Sequence, residues 1–316
     1  MTENCKTLSF EFFPPNTDST MLTLIDLAKE FESIPAKYFS ITFSGRGSAQ
    51  KETFNTVESL SNSTKIPIAP TISGIGLDSD LVQSILSKYK ERGIKKILVF
   101  RGDLPPRSQK IGDFTYAVNL LDFIFEKFGN YFEIEVGAYP EMHPEAANSN
   151  EDIEYFCEKM SRDVKGAITQ FFFKPEAYFD FIDKCANLGC TKPITPGVLP
   201  FSSKKELEIM SKKCGVELPK DLIEDINGYK DEGDVKKFGE MYITSLVQEL
   251  LDNGVPGIHF YTIGKGKIRG KHIYNLQKCR KALVDKTKEK NLNKAEFYDQ
   301  KEIQKIKNRK LNTKRQ

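Results

Sequence analysis

Thr7-Leu8-Ser9-Phe10-Glu11-Phe12-Phe13-Pro14-Pro15 is an apolar, strand-like run that stops on two prolines. The turn after a first strand separates two α/β architectures. A doubly wound dinucleotide-binding sheet carries a Gly-rich turn there, and here Pro-Pro stands in that place. Residues 18–31 then show helical spacing through Met21, Leu24, Ile25, Leu27, Ala28 and Phe31. The alternation continues along the chain. Strands are expected over residues 7–13, 38–43, 66–72, 95–100, 132–138, 167–173, 193–199 and 257–262. Helices are expected over 18–31, 50–60, 79–91, 116–128, 151–164, 176–188, across 204–251, and over 271–284. No linker separates two domains. The pattern predicts a single-domain (β/α)8 TIM barrel over residues 1–284, joined to a basic extension, 285–316, that is helical or disordered.

Charge is unevenly placed. Residues 285–316 hold 11 Lys/Arg against 5 Asp/Glu, so the tail carries +6 of a chain total of +3 and the body is slightly acidic. A barrel without a basic face is not expected to bind nucleic acid, and a lone basic tail is weak ground for such contact. The six cysteines (Cys5, Cys157, Cys185, Cys190, Cys214 and Cys279) form no CxxC pair, and only three His are present. No metal site is expected, and the thiols read as reduced. No secretory leader or apolar stretch of membrane-spanning length is visible, which points to a cytoplasmic protein.

Four strand-like runs end in polar or charged side chains, three of them running into Pro or Gly. They are Ser9–Pro15, Arg101-Gly102-Asp103-Leu104-Pro105-Pro106, Ala138-Tyr139-Pro140-Glu141-Met142-His143-Pro144-Glu145-Ala146, and Ile168-Thr169-Gln170-Phe171-Phe172-Phe173. A polar group buried without a partner costs roughly 2–7 kcal/mol, so four such ends suggest one shared polar site. Glu11, Thr42, Asp103, Tyr139, Gln170 and Tyr261 all fall at or near C-terminal strand ends, where barrels place active sites. If odd positions of the first strand face inward, Glu11 enters the barrel mouth, and its Phe neighbours should raise its pKa by desolvation. Its plainer reading is an ion pair with a nearby Lys or Arg. Arg101 and Asp103 could equally pair with each other at a turn, and His143 could bond its own backbone. Asp152 and Lys159, seven residues apart, share one helix face. Gln170 can donate to and accept from a flat heteroaromatic ring. The Gly264-Lys265-Gly266-Lys267-Ile268-Arg269-Gly270 segment misses the dinucleotide spacing by one residue and reads as a mouth loop.

In this order and spacing the four motifs closely resemble the methylenetetrahydrofolate reductase family, over about residues 8–276. The resemblance implies a (β/α)8 barrel holding FAD non-covalently. Hydride would pass from NADH or NADPH to 5,10-methylenetetrahydrofolate by ping-pong kinetics, in the one-carbon metabolism that feeds methionine biosynthesis. It implies that Glu11 is the general acid opening the imidazolidine ring and that Asp103 sits between flavin and pterin. Gln170 would contact folate and, in turn, nicotinamide, and Lys265 would lie near the folate. Thr42, Phe43, Arg101, Gly102, Asp103, Tyr116, Ala117, Tyr139, His143, Ala146, Asp152 and Lys159 match flavin-contacting positions. A homo-oligomer is expected. Three places depart from the family pattern: Thr71 replaces a common His, the loop from Phe43 to Ser48 is altered, and Glu206 and Met210 stand where some bacterial members have Gln and Phe. The chain ends before the regulatory domain of animal members, so adenosylmethionine feedback is not expected. Ferredoxin or another flavoprotein as electron donor, and a non-catalytic folate or flavin binder, are the competing readings.

Overall fold

Side-chain caps set where the helices begin. The Thr17 hydroxyl accepts from the Thr20 N–H at 3.3 Å while the Thr20 hydroxyl accepts from the Thr17 N–H, a reciprocal capping box. The helix it opens, α1 (Asp18–Phe31), buries Leu24, Leu27, Ala28 and Phe31. Asp78, Asn148, Ser203 and Asp231 cap later helices in the same way, each accepting from a first-turn N–H. In this computed structural model residues 7–33, 36–43, 48–102 and 112–262 are described. The expected helix over 271–284, the tail from 285, Asp103 and Lys265 lie outside them.

Eight parallel strands form a closed barrel in chain order: β1 (Thr7–Phe12), β2 (Ala36–Ile41), β3 (Ile68–Ser73), β4 (Lys96–Phe100), β5 (Glu133–Ala138), β6 (Gly166–Phe171), β7 (Ile194–Val198) and β8 (Gly257–Tyr261). β1 pairs with both β2 and β8, which closes the ring. The remaining described helices are α2 (Ser48–Ser63), α3 (Ser79–Glu91), α4 (Ala117–Phe128), α5 (Ser149–Ser161), α6 (Pro175–Asn187), α7 (Lys204–Cys214), α8 (Lys220–Asn227) and α9 (Glu232–Asp252). The expected (β/α)8 barrel is therefore the fold. None of the described helices is long and apolar enough to cross a membrane.

Most boundaries shift by one to three residues from the periodicity, and those of β2, β6 and the 204–251 stretch bear on the mouth of the barrel. β2 begins and ends two residues early, because pairing with β1 starts at Ala36 opposite Leu8. Thr42 is thereby released to the mouth, its N–H still bonding the Phe12 carbonyl at 3.0 Å. β6 stops at Phe171 instead of residue 173, with a register irregularity between Ile168 and Phe171. The long helical stretch 204–251 is three helices, broken by Gly215 in the left-handed region (φ 67°), by Pro219 and by the Asp231 cap.

The two faces of the barrel wall have different chemistry. Outward, Phe10 stacks on Phe31 of α1 (centroids 4.6 Å apart) and on Phe260 (5.6 Å). Burying each such ring contributes about 1.5–3 kcal/mol. Inward, Ser9, Tyr38, Lys96, Glu135 and His259 make a buried polar layer. The Glu135 carboxylate accepts from the Tyr38 hydroxyl at 2.6 Å, from Lys96 at 3.0 Å and from Lys37 at 3.3 Å. Burial alone would raise its pKa, but Lys96, Lys37 and the Tyr38 hydroxyl overcome that and hold it below the usual value. Ser9 Oγ lies 2.8 Å from His259 Nδ1. Burial lowers the His259 pKa to about 4, against the pull of Glu135, so the imidazole is neutral at pH 7.

Candidate active site

Glu11 points inward from β1 between the outward-facing Phe10 and Phe12, as the alternation of strand side chains requires. It is 8% exposed. Burial raises its pKa from 4.5 to about 7, partly offset by a hydrogen bond from the Thr42 side chain. An acid in that range can hold and release a proton near neutrality. Among the described residues no Lys or Arg pairs with it, so the plainer ion-pair reading finds no partner there. The Glu11 carbonyl accepts the Thr262 N–H at 3.2 Å and also the Thr262 hydroxyl, which fixes the strand end.

The carboxyl opens into a cavity of about 670 Å³ at the C-terminal mouth. That lies within the range of small-molecule sites. One side of it carries Gln170, Ile168, Phe171 and Tyr261. The Gln170 carbonyl accepts from the Phe171 N–H at 3.1 Å, which turns its amide toward a donor role. The Tyr261 hydroxyl donates to the Thr169 carbonyl at 2.8 Å. The other side carries Thr42, Phe43, Thr71, Ser73, Phe100, Gly102, Tyr139 and His143. Thr71 is buried, and its hydroxyl has no hydrogen-bond partner among the described residues.

The loop after β5 is tied down by its own polar groups. The His143 N–H donates to Asp152 at 2.8 Å, and its Nδ1 accepts from the Glu145 N–H at 3.1 Å. A neutral His143 therefore carries its proton on Nε2. Burial lowers its pKa, against Asp152 and Glu145. Its ring meets that of Tyr139 edge-on at 4.5 Å. Arg101 pairs with Glu145 at 2.8 Å and donates from Nε to the Thr115 carbonyl at 3.1 Å. Its Nη1 is buried and unpartnered among the described residues. Lys159 turns inward and donates to the Gly137 carbonyl at 3.0 Å, with burial lowering its pKa to about 8.

The residues expected at the site fall into two groups. Glu11, Thr42, Phe43, Gly102, Tyr139, His143 and Gln170 meet on the cavity lining. Arg101, Tyr116, Ala117, Ala146, Asp152 and Lys159 stand behind or beside it: Arg101, Asp152 and Lys159 brace the lining through Glu145, His143 and Gly137. Tyr116 precedes α4 and is 62% exposed, Ala117 is the first residue of that helix, and the Ala146 N–H donates to the His143 carbonyl. Leu199, Lys213 and Cys214 also line the cavity and were not singled out in the sequence, because they come after a Pro-interrupted strand or end an ordinary amphipathic helix.

Gly102 is held at φ +84°, and a Cβ there would lie 1.8 Å from Ser73 Oγ. Gly102→Ala is expected to destabilise the protein by about 1–3 kcal/mol, read as a lower urea midpoint at constant m value. An unchanged midpoint would show that neither the φ nor the contact constrains this position.

Fold and cavity together define a (β/α)8-barrel protein whose polar site lies where barrels of this kind carry their chemistry. The chain belongs to the methylenetetrahydrofolate reductase family, whose model, described as Methylenetetrahydrofolate reductase, matches residues 1–276. It is 32% identical over 262 residues to 5,10-methylenetetrahydrofolate reductase of Escherichia coli (strain K12), covering 83% of this chain and 87% of that one. It is 33% identical over 261 residues to the protein of that name from Buchnera aphidicola subsp. Schizaphis graminum, covering 82% and 88%. A solved structure of a Clostridium thermocellum protein, described as binding two copies of 5-methyl-5,6,7,8-tetrahydrofolic acid, superposes with a TM-score of 0.59 at 16% identity. It covers 89% of this chain and 95% of that one, a likeness of fold alone.

Proposed function

We propose that the chain reduces 5,10-methylenetetrahydrofolate to 5-methyltetrahydrofolate, with non-covalent FAD and with NADH or NADPH as the electron source. Family membership supports the reaction. The observation that carries the mechanism is the buried Glu11 carboxyl, raised to about 7 and facing the same cavity as Gln170. The lining also fits a flavin. The apolar faces of Phe43, Ile75, Leu77 and Phe100 suit a flat tricyclic ring, and the Thr71 hydroxyl, unpartnered among the described residues, offers it a polar contact. When bound, FAD supplies the hydride relay between nicotinamide and folate.

The chain's own residues then have defined tasks. Glu11 donates its proton to the ring nitrogen that leaves as the imidazolidine opens. The carbon–nitrogen bond breaks, the nitrogen takes the proton, and the one-carbon unit becomes an iminium able to accept hydride. Gln170 orients the pterin through its amide. The Arg101–Glu145 pair and the Asp152 bond to His143 keep the opposite wall in place. One cavity serving two substrates in turn predicts ping-pong kinetics.

The visible spectrum of the purified protein tests this reading. Bound oxidised flavin is expected, bleached anaerobically by one nicotinamide and restored by methylenetetrahydrofolate. Protein that binds no flavin and turns over no folate would overturn it. Bleaching by dithionite but by neither nicotinamide, with folate still reduced, would move the donor to a ferredoxin or flavoprotein.

A further inference from the structure

Exposure rises along one set of lining residues outside the Glu11–Gln170 group. Leu199 is buried, Met210 is half-buried, and Lys213 at the rim is exposed. A polar floor at Glu11 and Gln170 thus gives way to an apolar wall and then to a cation. Among the described residues Lys213 has no ion-pair partner, whereas Lys204 on the same helix pairs with Glu208 at 3.6 Å. The other charged groups on the lining are paired or neutralised. Glu145 is tied to Arg101, and burial disfavours the charged form of both Glu11 and His143.

The rim is a built feature. Gly215 ends α7 in the left-handed region, and a Cβ there would stand 2.6 Å from Pro144 Cγ. Two residues on, the Glu217 N–H donates to the Glu141 carboxylate at 2.9 Å. The segment that follows α7 is therefore fastened to the loop after β5, which anchors the end of the helix that brings exposed Lys213 to the cavity lining.

We propose that Lys213 receives the carboxylates at the glutamyl end of the folate substrate and so sets its affinity and its response to glutamate chain length. This rests on the folate reading above. A folate has a flat pterin, an aryl linker and a carboxylate end, and the floor, wall and rim come in that order. A charge-assisted contact at an exposed rim position is worth only a modest factor.

The wild-type chain and its Lys213→Ala and Lys213→Glu variants are compared for equilibrium binding of 5-methyltetrahydrofolate mono- and pentaglutamate, and for steady-state KM and kcat. Lys213→Ala is expected to weaken pentaglutamate binding by about two- to fivefold, and Lys213→Glu by more. The monoglutamate should lose less, kcat and the nicotinamide KM should hold, and added salt should erase the difference from wild type. Lys212→Ala, on the same turn but off the lining, should match wild type. Equal folate affinity in wild type and Lys213→Ala, or a shift confined to the nicotinamide KM, would overturn the proposal alone. Wild-type chain that binds neither folate would overturn the folate reading itself.

Discussion

Glu11→Gln is expected to suppress folate reduction by about 10²–10⁴-fold, the usual contribution of a general acid, while leaving flavin reduction by nicotinamide near its wild-type rate. Gln keeps the shape of the side chain and its bond to Thr42 but has no proton to give. Stopped-flow measurement of the two half-reactions separates the outcomes, and equal losses in both would remove Glu11 from the acid role. A pH signature goes with it. The folded pKa of Glu11 lies at about 7 against an ordinary 4.5, so folate reduction in the wild type should fall as pH rises through about 7. The same shift bears on stability. Between 4.5 and 7 the folded chain holds a proton that the unfolded chain releases, so stability is lost as pH rises across that window. The full shift corresponds to about 3 kcal/mol. Glu11→Gln should therefore be more stable than wild type at pH 8 and close to it at pH 4.5, a gain of stability at the expense of activity.

Glu135→Gln is expected to cost the barrel up to about 3–5 kcal/mol, because it leaves the buried Lys96 ammonium with only the more distant and largely exposed Glu133 carboxylate, 3.7 Å away, as its anion. Lys96 lies 3.0 Å from the Glu135 carboxylate, and both side chains are almost fully enclosed. Lys37 is 45% exposed and can turn to water, so most of the loss should come from Lys96. The check is chemical denaturation of Glu135→Gln and of the double variant Glu135→Gln/Lys96→Met. If the charge is the cause, the double variant should recover much of the loss, since a buried pair replaced by apolar packing is often neutral or better. A double variant as unstable as the single one would assign the loss to packing. Acid sensitivity should change too. The folded pKa of Glu135 is depressed, so its contribution is present above about 4.5 and disappears as pH falls through the folded value. Buried neutral His259 adds a loss of the same sign between 6.5 and about 4. Glu135→Gln should therefore flatten the acid limb without abolishing it.

The barrel and its acid were legible in the residues because two periods coincide there. Phe10 and Phe12 alternate with Ser9 and Glu11, and the Pro-Pro stop excluded a glycine turn. The inward polar layer was not legible. Glu133-Ile134-Glu135-Val136 reads equally well as a strand with one wet face, and only closure of the ring turns Glu135 toward Lys96 and Tyr38. His259, 250 residues from Ser9, had no local signal at all. The bracing roles of Asp152 and Lys159 were hidden for a related reason. Sequence placed them on one helix face but gave no means of knowing that backbone groups of His143 and Gly137 would take their side chains.

The ring is sealed by its first and last strands, so the acid's surroundings are contributed by segments about 250 residues apart in the chain. Ser9 meets His259, and Thr262 locks onto the carbonyl of Glu11. A growing chain on the ribosome must carry β1 with an unpaired edge until β8 emerges, and such an edge invites association with other chains. A product clipped before residue 257 would then be an aggregation hazard and not a weakened enzyme.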